Sequence, residues 1–337
     1  MRKIFFVFLF TAAALAQPEL SEQFKLLKST NVNDRRNAVR DLGRMRTPEA
    51  AQKLMEILGK DSDFGVRAQA AESLGSMRSK EATPALIKAL KDENRNVKSA
   101  ALVTFGYIRD KDSVGPLLEF AEKEEDVGLK IQAVNVLGVI GDATAVPALV
   151  KLLDDKNGRI ATISAQSLGR LRSPDSVKPL LSKIESEDAA LRQYSIRALG
   201  EIGDKSALPD LEKRLEKEKD PAVKLEMANT LGNLGSAAGY DVALLAASSD
   251  DIRTKKQGMR ALGVIKKLTP EVEKIILDAW ASDDARIKSE AQMAAEYLSI
   301  KLPVPEKKKE EPAVKESVPT GKPPVKKKAP EKKKTAK

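Results

Sequence analysis

The 337-residue sequence contains no cysteine and no histidine. The first absence removes disulfides, thiolate metal sites, thiol nucleophiles and a lipid-modified N-terminal cysteine. The second removes zinc sites of the common kinds and imidazole-based acid–base chemistry. Neither a metal nor an organic cofactor is expected. Aromatic residues make up only 4% of the chain, which leaves little to stack bases on. Long apolar runs are missing after the first residues, so no later segment reads as a membrane span.

Charge is plentiful, at 32% of residues and a formal net value of +10. Its placement matters more than its sum. The tail 303–337 holds 12 Lys and 5 Glu, and Arg2 and Lys3 lead the chain, so residues 17–302 are nearly neutral. After Arg2 and Lys3, Ile4 through Leu15 is apolar, and Ala14-Leu15-Ala16 forms a small-x-small site. That pattern predicts a signal peptide over 1–16, cleaved after Ala16, and an exported protein, periplasmic or secreted.

A chain of this length suggests two domains, but an internal repeat replaces that estimate. An apolar-Gly pair recurs at Gly43, Gly75, Gly106, Gly138, Gly169, Gly200, Gly232 and Gly263, with spacings of 31 or 32 residues. Ala294 stands where the next Gly would fall. Twelve residues before each Gly is an Asx: Asn31, Asp63, Asn94, Asp126, Asn157, Asp188, Asp220 and Asp251. Such side chains accept from free N–H groups at a helix start, so each marks the entry to a helix. Eight before the Gly come Arg35, Arg67, Lys98, Lys130, Arg192, Lys224 and Lys255, with Ala161 the exception. An acid four residues before a base is the favourable helical order, and the pairs predict a structural ladder. A Gly inside a helix costs about 1 kcal/mol relative to Ala, which implies close approach of a neighbouring helix.

A second helix follows at once in each unit. Its caps are Thr47, Ser79, Asp110, Asp142, Ser173, Asp204 and Ser236. Pro84, Pro116, Pro147, Pro179 and Pro209 should delay its start. The prediction is an all-α superhelix of about eight helical hairpins plus a partial ninth over 17–302, with a disordered Lys/Pro-rich tail over 303–337.

Units such as DVGLKIQAVNVLGVIGDATAVPALVKLL resemble HEAT repeats of the short type found in phycobilisome lyase-like proteins. The resemblance covers about residues 30–302. It implies stacked helix pairs in a superhelix, with one row of helices lining a concave surface. Some proteins with similar repeats act as chromophore lyases, and hydroxylases built on such repeats carry His-Glu metal sites, which this chain cannot form.

Several groups are candidate contacts. Arg46, Arg78, Arg109 and Arg172 occupy equivalent hairpin turns and could present a ridge to carboxylate or phosphate. Gly at three of the eight turns breaks that ridge. Tyr240, Leu244 and Leu245 belong to a segment almost without basic charge and could form an apolar partner patch. In the tail, Lys307, Lys308 and Lys309, Lys326, Lys327 and Lys328, and Lys332, Lys333 and Lys334 form triplets that suit polyanions.

The functional expectation is therefore an exported, non-catalytic scaffold, not an enzyme. It binds a protein or peptide on the solenoid while the tail associates weakly with an anionic envelope polymer or lipid. Polyanion or nucleic-acid binding through the tail is the alternative, followed by a lyase-like or acid-only enzyme.

Overall fold

The computed structural model describes residues 19–303. A first helix, α1, covers residues 19–26. Long and short helices then alternate. The long ones are α2 (Val32–Met45), α4 (Phe64–Met77), α6 (Arg95–Ile108), α8 (Val127–Ile140), α10 (Gly158–Leu171), α12 (Ala189–Ile202), α14 (Pro221–Leu234), α16 (Ile252–Ile265) and α18 (Ala285–Leu298), each of 14 residues. Between them lie α3 (Pro48–Lys60), α5 (Thr83–Ala89), α7 (Val114–Lys123), α9 (Val146–Lys151), α11 (Val177–Lys183), α13 (Leu208–Lys217), α15 (Tyr240–Ala247) and α17 (Pro270–Ala281). The compact unit ends at Lys301. The predicted export segment and all three lysine triplets lie outside the described residues.

The Asx phasing sets the long helices. Every predicted Asx is extended, and its side chain accepts from an N–H two or three residues on, as Asp126 does from Leu129 at 2.9 Å. Each long helix closes on a left-handed residue three after the Gly. Arg46, Arg78, Arg109, Arg172 and Lys266 have φ of 50–57°, and Gly141, Gly203 and Gly235 have 79–94°. The prolines act as expected. In five repeats the chain first makes a 3-10 turn, such as Ala143–Ala145, and the α-helix begins one or two residues before the proline. Of the predicted caps of the short helices, Ser79 and Ser173 make no capping bond. Ser79 instead donates to Glu81.

The long helices pack in one continuous row, α2 on α4 through α16 on α18, whereas past α5 the backbones of successive short helices lie further apart. The core lies between the two rows. Leu42, Leu74, Leu137 and Leu168 from long helices meet Leu54, Leu86, Leu117 and Leu149 from short ones, all fully buried. Removing apolar surface of this extent from water is the dominant stabilising term.

The recurring Gly permits the close row. A Cβ on Gly138 would come within 2.7 Å of Ser167 Cβ, and one on Gly43 within 2.8 Å of Ser73 Cβ. The neighbour's hydroxyl uses the gap. Ser73, Thr104, Ser167 and Thr230 donate to the carbonyls of Val39, Ala71, Val134 and Ile196 in the preceding long helix, at 2.8–3.3 Å. Gly106 is the loose member, with its nearest contact at 3.9 Å.

The ninth unit corrects the sequence register. Asp284 caps α18 and Ser299 takes its left-handed end, so the Gly position is Glu296 rather than Ala294. Ala294 is the small residue that Gly263 packs against, with its Cα 3.4 Å from the missing Cβ. Among the described residues no further helix packs on α18, so its outer face tolerates a carboxylate where the inner repeats need Gly. A polar outer face of this kind suits the end of a repeat stack.

Candidate functional site

The predicted ladder exists, but its acids are not the capping Asx residues. Arg35 pairs with Asp61, Arg67 with Asp92, Lys98 with Glu124, Lys130 with Asp155 and Arg192 with Glu218, at 2.8–3.1 Å. Each acid stands two residues before the next Asx and accepts that residue's N–H at 2.8–3.0 Å. Burial pushes the carboxyls of Asp92, Glu124, Asp155 and Glu218 up. The basic partner and the backbone N–H bonds outweigh burial and hold all four below the ordinary range. The capping oxygen of each Asx is engaged with its own helix, which explains why the ladder runs to a different residue.

The ladder lapses in the seventh and eighth repeats, where Ser249 and Ser282 stand in the acid position and Lys224 and Lys255 form no ion pair among the described residues, and most fully in the fifth. There Ala161 replaces the base, and Ser186 replaces the acid two before Asp188. The same repeat opens a cavity of about 640 Å³ across α8, α10 and α12. Ile131, Ile163 and Tyr194 give it an apolar lining, and Lys156 and Arg159 stand exposed beside them. Neither cation takes part in an ion pair among the described residues. The Tyr194 ring is held from one side by Arg197, 5.2 Å from its centroid, which in turn pairs with Glu226. A larger cavity of about 740 Å³ between α3 and α5 is centred on the ladder pair Arg67–Asp92 and reads as part of the scaffold.

The sequence candidates fall elsewhere. Arg46, Arg78, Arg109 and Arg172 are exposed at their left-handed turns, and Gly141, Gly203 and Gly235 interrupt their row. Tyr240 is turned inward: its hydroxyl lies 2.9 Å from Thr269 Oγ1 and Lys267 sits over its ring at 4.0 Å. Leu244 is half-buried and Leu245 is 78% exposed, so these three do not present one patch. Sequence reading missed Gly158, Asp188 and Tyr194 as cavity residues. The available signal was Ala161, the one break in the basic series.

The HEAT-repeat family model matches residues 21–102, 83–169 and 159–226. The chain belongs to the HEAT-repeat family. Among curated relatives, the bilin biosynthesis protein PecF of Nostoc sp. is 28% identical over 162 residues, covering 43% of this chain and 91% of that protein. The phycocyanobilin lyase subunit beta of Nostoc sp. is 33% identical over 104 residues, covering 31% of this chain and 52% of the relative. Other relatives carry names of the same kind, including phycocyanobilin lyase subunit alpha and a phycocyanin operon protein. A chain in the structure of Kap95p bound to RanGDP superposes with a TM-score of 0.60 at 14% identity, over 83% of this chain and 46% of that one. This last likeness is one of fold.

These relatives correct three expectations. A non-catalytic scaffold gives way, because proteins with these repeats are named as lyase subunits and as a bilin biosynthesis protein. The expectation of no enzyme falls with it: lacking His and Cys removes particular chemistries, not catalysis as such. Export is overturned by the same relatives, named for phycocyanin and its bilins rather than for an envelope role. No described helix is long and apolar enough to cross a membrane.

Proposed function

We propose that the chain is a HEAT-repeat subunit of a bilin-lyase type, which binds a linear tetrapyrrole and works with a protein partner where bilin proteins are assembled. The cavity over α8, α10 and α12 carries this reading. Its apolar lining suits a conjugated ring system, and Lys156 and Arg159 suit carboxylates on the same molecule. Relatives named as lyase subunits support a protein partner. Without Cys or His the chain contributes no thiol or imidazole. Within that assembly the chain binds and orients the tetrapyrrole for the lyase reaction.

The test is an absorbance titration of phycocyanobilin with the purified full chain. Binding in an apolar, constrained site should shift and sharpen the visible band, and Ile163→Asp should weaken the effect. A band unchanged throughout the titration overturns the reading.

A further inference from the structure

On its outward side each long helix presents the residues three before and one after its Gly. In α6 these are Val103, 45% exposed, and Tyr107, 57% exposed. The other long helices from α2 to α16 carry a polar or charged residue at one or both positions. The terminal helix α18 repeats the apolar pair as Met293 and Tyr297. The Tyr107 ring reaches across to α4, where its Cδ2 lies 3.3 Å from the place of a Gly75 Cβ. Its hydroxyl makes no hydrogen bond among the described residues. On the other flank α8 stands off. It sets Val136 against Gly106, where the helices from α4 to α18 otherwise have Ser, Thr or Ala, and the approach is the loosest in the row at 3.9 Å. No atom of Val139, the α8 counterpart of Tyr107, comes within 4 Å of the missing Gly106 Cβ. The apolar ridge of α6 is open on that side.

Two arginines bracket Tyr107. Gly75 lies in the last turn of α4, which closes on Arg78, and α6 itself closes on Arg109. Both are exposed, both have a left-handed φ of 53–54°, and neither forms an ion pair among the described residues. Arg109 Nε bends back to the Gly106 carbonyl at 3.4 Å, within the turn that carries Tyr107. A side chain crowds the backbone in this conformation, and Gly141, Gly203 and Gly235 show that the turn accepts glycine. The negative helix end favours a cation there, yet three turns of this chain do without one. The surroundings are poor in acid: α4, α6 and α8 hold a single one, Glu72, whose Oε2 accepts from Gln69 at 3.2 Å.

An exposed aromatic beside an aliphatic residue, rimmed by free guanidiniums, has the composition of a binding hot spot. Resting on the reading above that the chain works with a protein partner, we propose that this ridge docks an amphipathic helix of that partner, apolar on one face and acidic at one end. Val103 and Tyr107 stand four residues apart, about 6 Å along α6. A second helix meets that spacing with its own apolar residues four apart, ridge into groove. Its carboxylates then pair with Arg78 and Arg109, each of which can grip one through two hydrogen bonds.

The probe is a short synthetic helical peptide with leucines four apart on one face and glutamates at one end. Its counterpart carries lysines in place of the glutamates. Each is labelled and titrated with the full chain by fluorescence anisotropy, and thermal unfolding is followed in parallel. Arg78→Gly combined with Arg109→Gly removes both guanidiniums and leaves a residue that the turn accepts. Tyr107→Ala removes the exposed ring. Tyr297→Ala, at the equivalent position of α18, where the turn residue is Ser299, is the control.

The glutamate peptide should bind roughly tenfold or more tightly than the lysine peptide. The double glycine variant should lose roughly tenfold or more of that affinity, the usual loss for hydrogen bonds between charged groups, with its unfolding temperature unchanged or raised. Tyr107→Ala should lose a similar factor, and Tyr297→Ala should bind as the parent does. Equal binding of the two peptides, no binding of the glutamate peptide, or equal losses in Tyr107→Ala and Tyr297→Ala overturns the proposal. A single-stranded DNA oligonucleotide that outcompetes the peptide overturns it in favour of nucleic acid. A dimer of the full chain that is lost in Tyr107→Ala overturns it in favour of a second copy. No tetrapyrrole enters this test, so failure here leaves the tetrapyrrole reading standing.

Discussion

Arg67 grips Asp92 of the following repeat through two hydrogen bonds of 2.8 Å, Nε to Oδ2 and Nη2 to Oδ1. Its remaining nitrogen donates to the Asp61 carbonyl at 2.9 Å, and Asp92 also receives the Asn94 N–H at 2.8 Å. One guanidinium thus ties together two inter-repeat turns and a helix cap. Both side chains are about nine-tenths buried, which separates this pair from surface ion pairs worth under about 1 kcal/mol.

Arg67→Ala should therefore destabilise the fold by about 3 kcal/mol, because it strands a mostly buried carboxylate. Arg67→Lys should cost about half as much, since an ammonium cannot reproduce the two-pronged contact. Urea unfolding of both variants is the measurement. A loss below about 1 kcal/mol for the alanine variant would place the ladder among ordinary surface pairs.

The ladder also sets an acid limit. Asp92, Glu124, Asp155 and Glu218 are all held below their ordinary range in the folded chain. A depressed folded-state pKa adds stability above the unfolded value, about 4 for these side chains. That stability is lost as pH falls through the lower folded value. The urea midpoint should be nearly level from pH 7 to about 5 and drop steeply below about 4. A midpoint that is flat down to pH 3 would contradict the coupling of these four carboxylates to folding.

Much of this architecture was legible because it repeats. Gly43 through Gly263 and their Asx partners give the helix starts, and the prolines give the late entry of the short helices. Two errors have a common physical origin, the use of fixed spacing where hydrogen bonding decides. Counting from Gly263 points to Ala294. The connections around α17 are longer, and the cap at Asp284 moves the register to Glu296. The bases were matched to the Asx four residues earlier, yet those carboxylates and amides are engaged by their own helices. The true partners, Asp61, Asp92, Glu124, Asp155 and Glu218, recur two residues before the next Asx and were present in the sequence. The cavity was not legible. Its lining is drawn from three helices, Ile131 of α8, Ile163 of α10 and Tyr194 of α12, whose adjacency only the stack reveals.

The recurring glycines should respond to alanine with opposite signs. At Gly138 an added Cβ would lie 2.7 Å from Ser167 Cβ and 2.9 Å from its Cα. Alanine gains about 1 kcal/mol of helix propensity, but overpacking costs about 1–3 kcal/mol. Backbone atoms cannot yield cheaply, so Gly138→Ala should be destabilising on balance. At Gly106 the nearest atom is Val136 Cγ2 at 3.9 Å. Gly106→Ala should therefore stabilise by about 1 kcal/mol. Equal responses at the two sites would show that helix approach does not govern the motif.

The fifth repeat, which lacks both base and acid, offers the strictest test of the ladder. Ala161 is 2% exposed, and Ser186 occupies the acid position, where its Oγ receives the Asp188 N–H at 3.2 Å. Ala161→Arg alone would bury a guanidinium with no facing carboxylate and should destabilise by about 3 kcal/mol. Ser186→Asp alone keeps an oxygen acceptor for Asp188 N–H, as Asp92 does for Asn94, and should change stability by less than about 1 kcal/mol. Together they rebuild the geometry of Arg67 and Asp92. A double-mutant cycle by urea unfolding should give a favourable coupling of about 1.5–3 kcal/mol. A coupling under about 0.5 kcal/mol would mean that the rungs depend on the surrounding repeat, and that the two residues of the pair do not by themselves make one.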